Sequence, residues 1–117
     1  MSRRSWRERI RDILDAITEV GTFTHGMAFD TFRQDPKTIR AVELDFIVIG
    51  EAANNIPEEV QRTHAEVPWH LMRAMRNRLV HVYFAVDPHI LWETIHHDLP
   101  SLVPHLEALV REPRACL

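Results

Sequence analysis

The stretch VPWHLMRAMRNRLVHVYF, residues 67–84, carries the clearest structural pattern of the chain. Pro68 suits the first turn of a helix, and the apolar residues that follow recur at helical spacing, with about 100° of rotation per residue. They gather on one face, formed by Leu71, Met75, Leu79, Val82 and Val86. We therefore predict a helix from Pro68 to about Val86 that buries this face in the core of the protein.

The other side of this predicted helix is cationic, polar and aromatic. No acidic residue occurs between Glu66 and Asp87. The mixed face carries Trp69, Arg73, Arg76, Asn77, Val80, His81, Tyr83 and Phe84, and Arg78 lies in the same acid-free window. Exposed aromatic and aliphatic groups of this kind usually meet a partner, and the simplest partner is a second copy of the chain. We therefore predict a homodimer in which this helix faces its own image.

Helical periodicity also covers the first half of the chain. A first helix is expected over residues 4–20, ending near Gly21. Asp35 followed by Pro36 is an N-cap and first-turn pair, which predicts a second long helix that Pro57 stops. A short helix can follow within residues 57–63.

The C-terminal part repeats the same signals. Asp87 and Pro88 predict the start of a last helix, in which Pro100 and Pro104 should produce a kink or a break. No segment alternates with the period of two that is typical of strands. These features predict an all-α protein with a single domain over residues 1–117. Its expected architecture is an antiparallel up-and-down bundle of four main helices, or five with the short one.

Composition limits the class of protein further. The 117 residues are 45% hydrophobic and 26% charged, with a net charge of −3, which is typical of a globular domain and not of a basic nucleic-acid wrapper. No apolar run approaches the roughly 20 residues that cross a membrane. The one cysteine, Cys116, cannot form an internal disulfide, and no secretory signal is apparent. We expect a cytoplasmic protein with no membrane partner.

The spacing of Arg76 and His81 raises a geometric problem. Five residues apart on one straight helix, their side chains diverge by about 140° and would cooperate poorly. Asn77 and His81, four residues apart, share a ledge. In a symmetric pair of helices, Arg76 and His81 of each chain converge with those of the other chain, so a site at this place requires two copies.

At this point the residues support a family resemblance. Arg76, Asn77, His81 and Tyr83 together resemble the arginine, four residues, histidine, one residue, tyrosine motif of HEPN-domain ribonuclease toxins of the HepT type. The similarity extends to IGEAANNI at 49–56, to VPWHLMRAMRNRLVHVYF at 67–84 and to DLPSL at 98–102, and so covers nearly the whole chain.

The resemblance implies a HEPN helical bundle that forms a homodimer and cleaves RNA at the interface without a metal ion. It also implies the toxin of a toxin–antitoxin pair. Its partner would be a minimal nucleotidyltransferase antitoxin that inactivates the toxin by transferring AMP to Tyr83. Negatively charged AMP at this position would block the cleft and engage its arginines.

The chemistry of metal-free RNA cleavage matches the residue types in the motif. The 2′-hydroxyl must be activated by a group that exchanges a proton near neutral pH, which makes His81 the candidate acid or base. Charge that develops on the phosphoryl oxygens needs a positioned guanidinium, which Arg76 would supply. Asn77 could orient His81 or bind the phosphate, and Arg73 and Arg78 are further candidates for phosphate binding.

Other readings of these residues remain open. The chain could be a non-catalytic helical subunit that presents a nucleotide or substrate to a nucleotidyltransferase, or a dimerisation module in which the motif only packs. His89 and His96 are too far apart for one metal ion, so no metal or other cofactor is expected. Glu51 lies among small residues, which favours a structural role in close helix packing over a pairing with a site arginine.

Overall fold

The computed structural model describes residues 5–81 and 87–112, apart from the side chains of Val80 and His81. All the regular secondary structure within these ranges is helical, which confirms the all-α prediction. The elements are α1 (Trp6–Phe23), α2 (Phe29–Arg33), α3 (Pro36–Asn54), α4 (Glu58–Thr63), α5 (Trp69–His81), α6 (Pro88–Glu93), a π-helical turn (Thr94–Asp98) and α7 (Leu99–Arg111). Each of these helices is too short or too polar to span a lipid bilayer.

Local capping chemistry sets where several helices begin. Ser5 forms a capping box with Glu8 at the start of α1. The Asp35 side chain accepts a hydrogen bond from the Thr38 amide at 3.1 Å, and Asp87 caps α6 in the same way. The predicted starts of the second and last main helices are therefore confirmed.

Two boundaries differ from the predictions. Helix α1 continues through Gly21 to Phe23, because glycine tolerates helical dihedrals and nothing crowds it there. The chain turns later, at Gly26, which has a φ of 75°. The five-residue helix α2 was not predicted, because its N-cap residue makes no side-chain hydrogen bond. Its one buried residue is Phe32, whose burial depends on tertiary packing.

In the C-terminal helical run, the hydrogen-bonding pattern changes locally where a kink or a break was expected. From Pro88 to Arg111 the residues remain helical, and the Leu99 amide donates to the Thr94 carbonyl five residues earlier. This π-helical turn ends at Asp98, two residues before Pro100, which has no N–H to donate. Pro104 lies inside α7. The expected disturbance therefore takes the form of a wider turn and not of a break.

Helix α3 occupies the centre of the fold, packing against both α1 and α5, while α1 also contacts α7. Fully buried side chains from four helices meet in this core, among them Ile13, Val42, Ile49, Met72 and Leu102. The predicted four main helices correspond to α1, α3, α5 and the run from α6 to α7. Seven α-helical segments are present in the described ranges, so the expected count of four to five is not confirmed.

The buried face of α5 is rotated from the predicted one. Met75 and Leu79 are buried as expected, but Leu71 is only half-buried, and Met72, absent from the predicted stripe, has no exposed surface. Trp69 was assigned to the partner-facing side, and this is wrong: it is 5% exposed. Its Nε1 donates to the His64 carbonyl at 3.0 Å, because the segment after α4 closes over it. Val82 and Val86 lie outside the described residues.

Candidate functional site

Arg76 lies at a close contact between α3 and α5. A Cβ atom added to Gly50 of α3 would collide with the Arg76 Cβ and would lie 2.9 Å from the Met72 carbonyl oxygen. Only glycine permits this approach, since a larger residue would push the helices apart. The backbone of α5 is thereby fixed against α3 at the position of the candidate catalytic arginine.

The guanidinium of Arg76 is held from two directions. Its Nε donates to Glu51 Oε1 at 2.5 Å, and its Nη1 donates to Asn77 Oδ1 at 3.0 Å. Two of the five N–H groups of the guanidinium are thus engaged, and the other three have no hydrogen-bond partner among the described residues. The Arg76 side chain is 33% exposed, so a phosphate can reach it from solvent. A charged donor fixed in this way suits a phosphoryl oxygen.

Glu51 is the site residue that the sequence reasoning underestimated. A structural role was favoured for it, yet its carboxylate forms the ion pair with Arg76 across the α3–α5 contact. The signal was its place next to Gly50, within the same stretch at 49–56 that carries the family resemblance. Because Glu51 and Arg76 are 25 residues apart in sequence, their contact depends on tertiary packing.

The other two arginines of the acid-free window lie apart from this pair. Arg73, about one turn before Arg76, donates from Nη1 to Gln61 Oε1 at 2.7 Å. Arg78 is exposed and lines a separate cavity of about 120 Å³ with Asp98. Positions two residues apart on a helix differ by about 200° around its axis, so Arg78 projects from nearly the opposite side of α5 to Arg76. The structure thus brings together Arg76, Asn77 and Glu51.

His81 is the last residue of α5, and Tyr83 follows it outside the described residues. The side chain of His81 is not described either. Their predicted roles as acid or base and as the site of modification therefore stay predictions.

The histidines of the C-terminal half have partners that account for several of them. His97 contacts Glu93 at 3.0 Å, His89 contacts the same carboxylate at 3.8 Å, and the His96 ring lies 4.2 Å from the ring of Trp92. Among residues 5–81 and 87–112, no group of three or more His, Cys, Asp or Glu side chains is arranged to hold a metal ion.

Comparison with known proteins links this chain to a family. A model of the family described as "Ribonuclease HepT-like" matches residues 13–109. "Probable ribonuclease HepT" of Thermococcus cleftensis is 42% identical over 107 residues, which cover 92% of this chain and 97% of that protein. "Putative RNase MJ0127" of Methanocaldococcus jannaschii is 33% identical over 96% of this chain and 93% of its own length.

A third relative, "Putative RNase TTE0752" of Caldanaerobacter subterraneus subsp. tengcongensis, is 36% identical over 76% of this chain and 80% of its own length. No solved structure matches the chain significantly. The predicted family and the predicted class of enzyme are both confirmed: the chain belongs to the HepT-like ribonuclease family.

Proposed function

We propose that this protein is the toxin of a toxin–antitoxin pair and acts as a metal-independent endoribonuclease. The observation that carries the proposal is the Arg76 guanidinium, held by Glu51 and Asn77 with three N–H groups left over, in a chain of a ribonuclease family. Arg76, His81 and Tyr83 keep the spacing of the HEPN motif in this chain.

In the proposed reaction, the 2′-oxygen of a ribose attacks the adjacent phosphorus. His81 accepts the 2′-hydroxyl proton, a bond forms between the 2′-oxygen and phosphorus, and the bond from phosphorus to the 5′-oxygen breaks. A second His81 donates a proton to the leaving 5′-oxygen. Arg76 donates to the non-bridging phosphoryl oxygens, where negative charge increases in the transition state. The products are a 2′,3′-cyclic phosphate and a 5′-hydroxyl.

The proposed site needs two copies of the chain. Arg76 and His81 lie five residues apart on α5, which corresponds to about 140° of rotation and about 7.5 Å along the axis. A two-fold symmetric dimer would bring Arg76 and His81 of both copies together in one composite site at the symmetry axis. It would also supply the two histidines that acid–base catalysis requires.

Control of the toxin would act on the same surface. A nucleotidyltransferase antitoxin would transfer AMP from ATP to the Tyr83 hydroxyl, with pyrophosphate as the leaving group. The added phosphate would carry negative charge two residues from His81 and would compete with RNA for Arg76. We expect RNA cleavage and the transfer of AMP to take place in the cytoplasm.

The test is cleavage of single-stranded RNA by the purified, unmodified protein in EDTA. Wild type should cleave, while folded His81→Ala and Arg76→Ala should lose on the order of 10²-fold or more in rate. Arg40→Ala is a matched control, because Arg40 is exposed and pairs with Glu43 on α3. Unchanged cleavage in both site variants would contradict the mechanism. If wild type cleaves no RNA, the non-catalytic reading as a partner subunit of a nucleotidyltransferase is favoured instead.

A further inference from the structure

An open groove of about 350 Å³ lies between α4 and the first turns of α5. Buried Val67 and Trp69 form its floor. Its polar lining is mostly cationic or neutral and consists of Glu58, Gln61, Arg62, His70 and Arg73. The groove is separate from the Glu51–Arg76 pair, and neither Arg76 nor Asn77, the two motif residues whose side chains are described, lines it.

Arg73 carries a charge that no carboxylate neutralises within the described residues. Its hydrogen-bond partner is the neutral amide of Gln61, at 2.7 Å. Gln61 is fixed in turn, because its Nε2 donates to the Ile56 carbonyl at 2.9 Å. The Arg73 side chain is therefore pre-oriented at the groove, with four of its five N–H groups free of the Gln61 bond. This differs from Arg76, whose charge is paired with Glu51.

The second cation of the groove is weakly engaged. Arg62 contacts Glu58 at 3.2 Å, but both side chains are largely exposed to solvent. Exposed pairs of this kind contribute little, so a phosphate can displace Glu58 from Arg62 at small cost. The N-terminal end of α5 also opens here, and its partial positive charge favours an anion in the same place.

The groove leads towards the candidate catalytic pair along α5. His70, Arg73 and Asn77 recur at positions i, i+3 and i+7, which places them within about 60° on one side of the helix. They extend over about 10 Å along the helix axis. Asn77 is hydrogen-bonded to Arg76, so the row of polar groups ends at the site. No acidic residue interrupts it in sequence.

We propose that the groove between α4 and α5 binds the sugar–phosphate backbone of the RNA substrate outside the cleaved bond, with Arg73 and Arg62 contacting phosphates. The proposal rests on the proposed function. It assigns the groove a positioning role, because the backbone contacts would align the strand with Arg76. Since phosphates carry no sequence information, these contacts should act on every RNA sequence alike.

The test measures binding of a fluorescent single-stranded 2′-O-methyl RNA by anisotropy over a range of KCl concentrations. This RNA lacks the free 2′-hydroxyl, so affinity is read whether or not the protein cleaves RNA, and a failure of the proposed function would be seen only in the cleavage assay. The Arg62→Gln/Arg73→Gln double variant should bind more weakly. The slope of log affinity against log salt should fall by about 1.4, from two lost phosphate contacts.

The control is Arg33→Gln/Arg40→Gln, which removes the same charge from ion pairs on α2 and α3 outside the groove. It should keep the wild-type slope. The proposal is overturned if the groove variant, folded as judged by its melting curve, has the wild-type slope or loses no more than the control. It is also overturned if the affinity loss is confined to one base sequence, which would indicate base contacts.

Discussion

Asp45 of α3 is a carboxyl group buried beside other carboxyl groups. It is 5% exposed, and its Oδ2 has no hydrogen-bond partner within the described part of the chain. Asp45 lines a surface groove together with Asp12, Asp15 and Glu19 of α1. Burial, a hydrogen bond with Glu19 and the charge of Glu19 together raise the pKa of Asp45 from 3.8 to about 7. We predict that this residue makes the protein less stable as the pH rises.

The sign and size follow from proton linkage. In the unfolded chain, Asp45 loses its proton near its ordinary pKa of 3.8, whereas in the folded protein it keeps the proton up to about pH 7. Between these values the folded state binds more protons, so the free energy of unfolding falls with rising pH and levels off above the folded pKa. From pH 5 to pH 8 the loss from this one group amounts to about 2–3 kcal/mol.

Asp45→Asn removes the charge and nearly keeps the shape. The difference in unfolding free energy between the variant and wild type should therefore widen by about 2–3 kcal/mol from pH 5 to pH 8, in favour of the variant. In thermal melts, the melting temperature of Asp45→Asn minus that of wild type should be about 10 °C larger at pH 8 than at pH 5. Asp15→Asn is the matched control, because Asp15 is exposed in the same groove, and it should follow the wild-type curve. A constant difference between Asp45→Asn and wild type over this pH range would refute the reasoning.

The remaining predictions concern the contact between α3 and α5. Gly50→Ala should destabilise the protein by about 1–3 kcal/mol in urea unfolding, because the new methyl group meets the backbone of Met72 and the Arg76 Cβ. Gly21→Ala is the control and should stabilise the protein by about 0.5–1 kcal/mol, since this helical position has no neighbour within 4 Å. Equal effects of Gly50→Ala and Gly21→Ala would contradict the packing argument. Glu51→Ala should lower kcat by on the order of 10-fold to 100-fold with a smaller change in KM, because Arg76 loses the acceptor that anchors it, and an unchanged kcat would exclude a positioning role.

Features set by local chemistry were predictable from the sequence. The Asp35 and Asp87 caps act on amides two or three residues away, so the starts of α3 and α6 follow from short segments. Helix α2 was missed because its order depends on contacts outside it: Phe32 is fully buried, and its ring lies 5.1 Å from the ring of Trp92 in α6. The burial of Trp69 likewise depends on a carbonyl that precedes α5.

The candidate site divides in the same way. The sequence places Arg76 and Asn77 next to each other on α5, so their proximity was predictable, and the two side chains do form a hydrogen bond. The helical spacing placed Arg76 on the side of α5 opposite the core, whereas Arg76 borders the core at the α3 contact, because α5 is rotated towards Met72. The partnership with Glu51 could not be derived from periodicity, since it requires knowledge of which faces of α3 and α5 meet.

Subunit mixing tests the composite ribonuclease site most directly. Wild-type and His81→Ala chains with different affinity tags are co-expressed, the mixed dimer is purified through both tags, and RNA cleavage is measured in EDTA. The mixed dimer should lose on the order of 10²-fold or more in rate, like the His81→Ala homodimer, because the composite site needs a histidine from each copy, one as base and one as acid. A mixed dimer that keeps roughly half the wild-type rate, as two independent sites with one His81 each would give, or a protein that stays monomeric at micromolar concentration, would contradict a site shared between two copies of the chain.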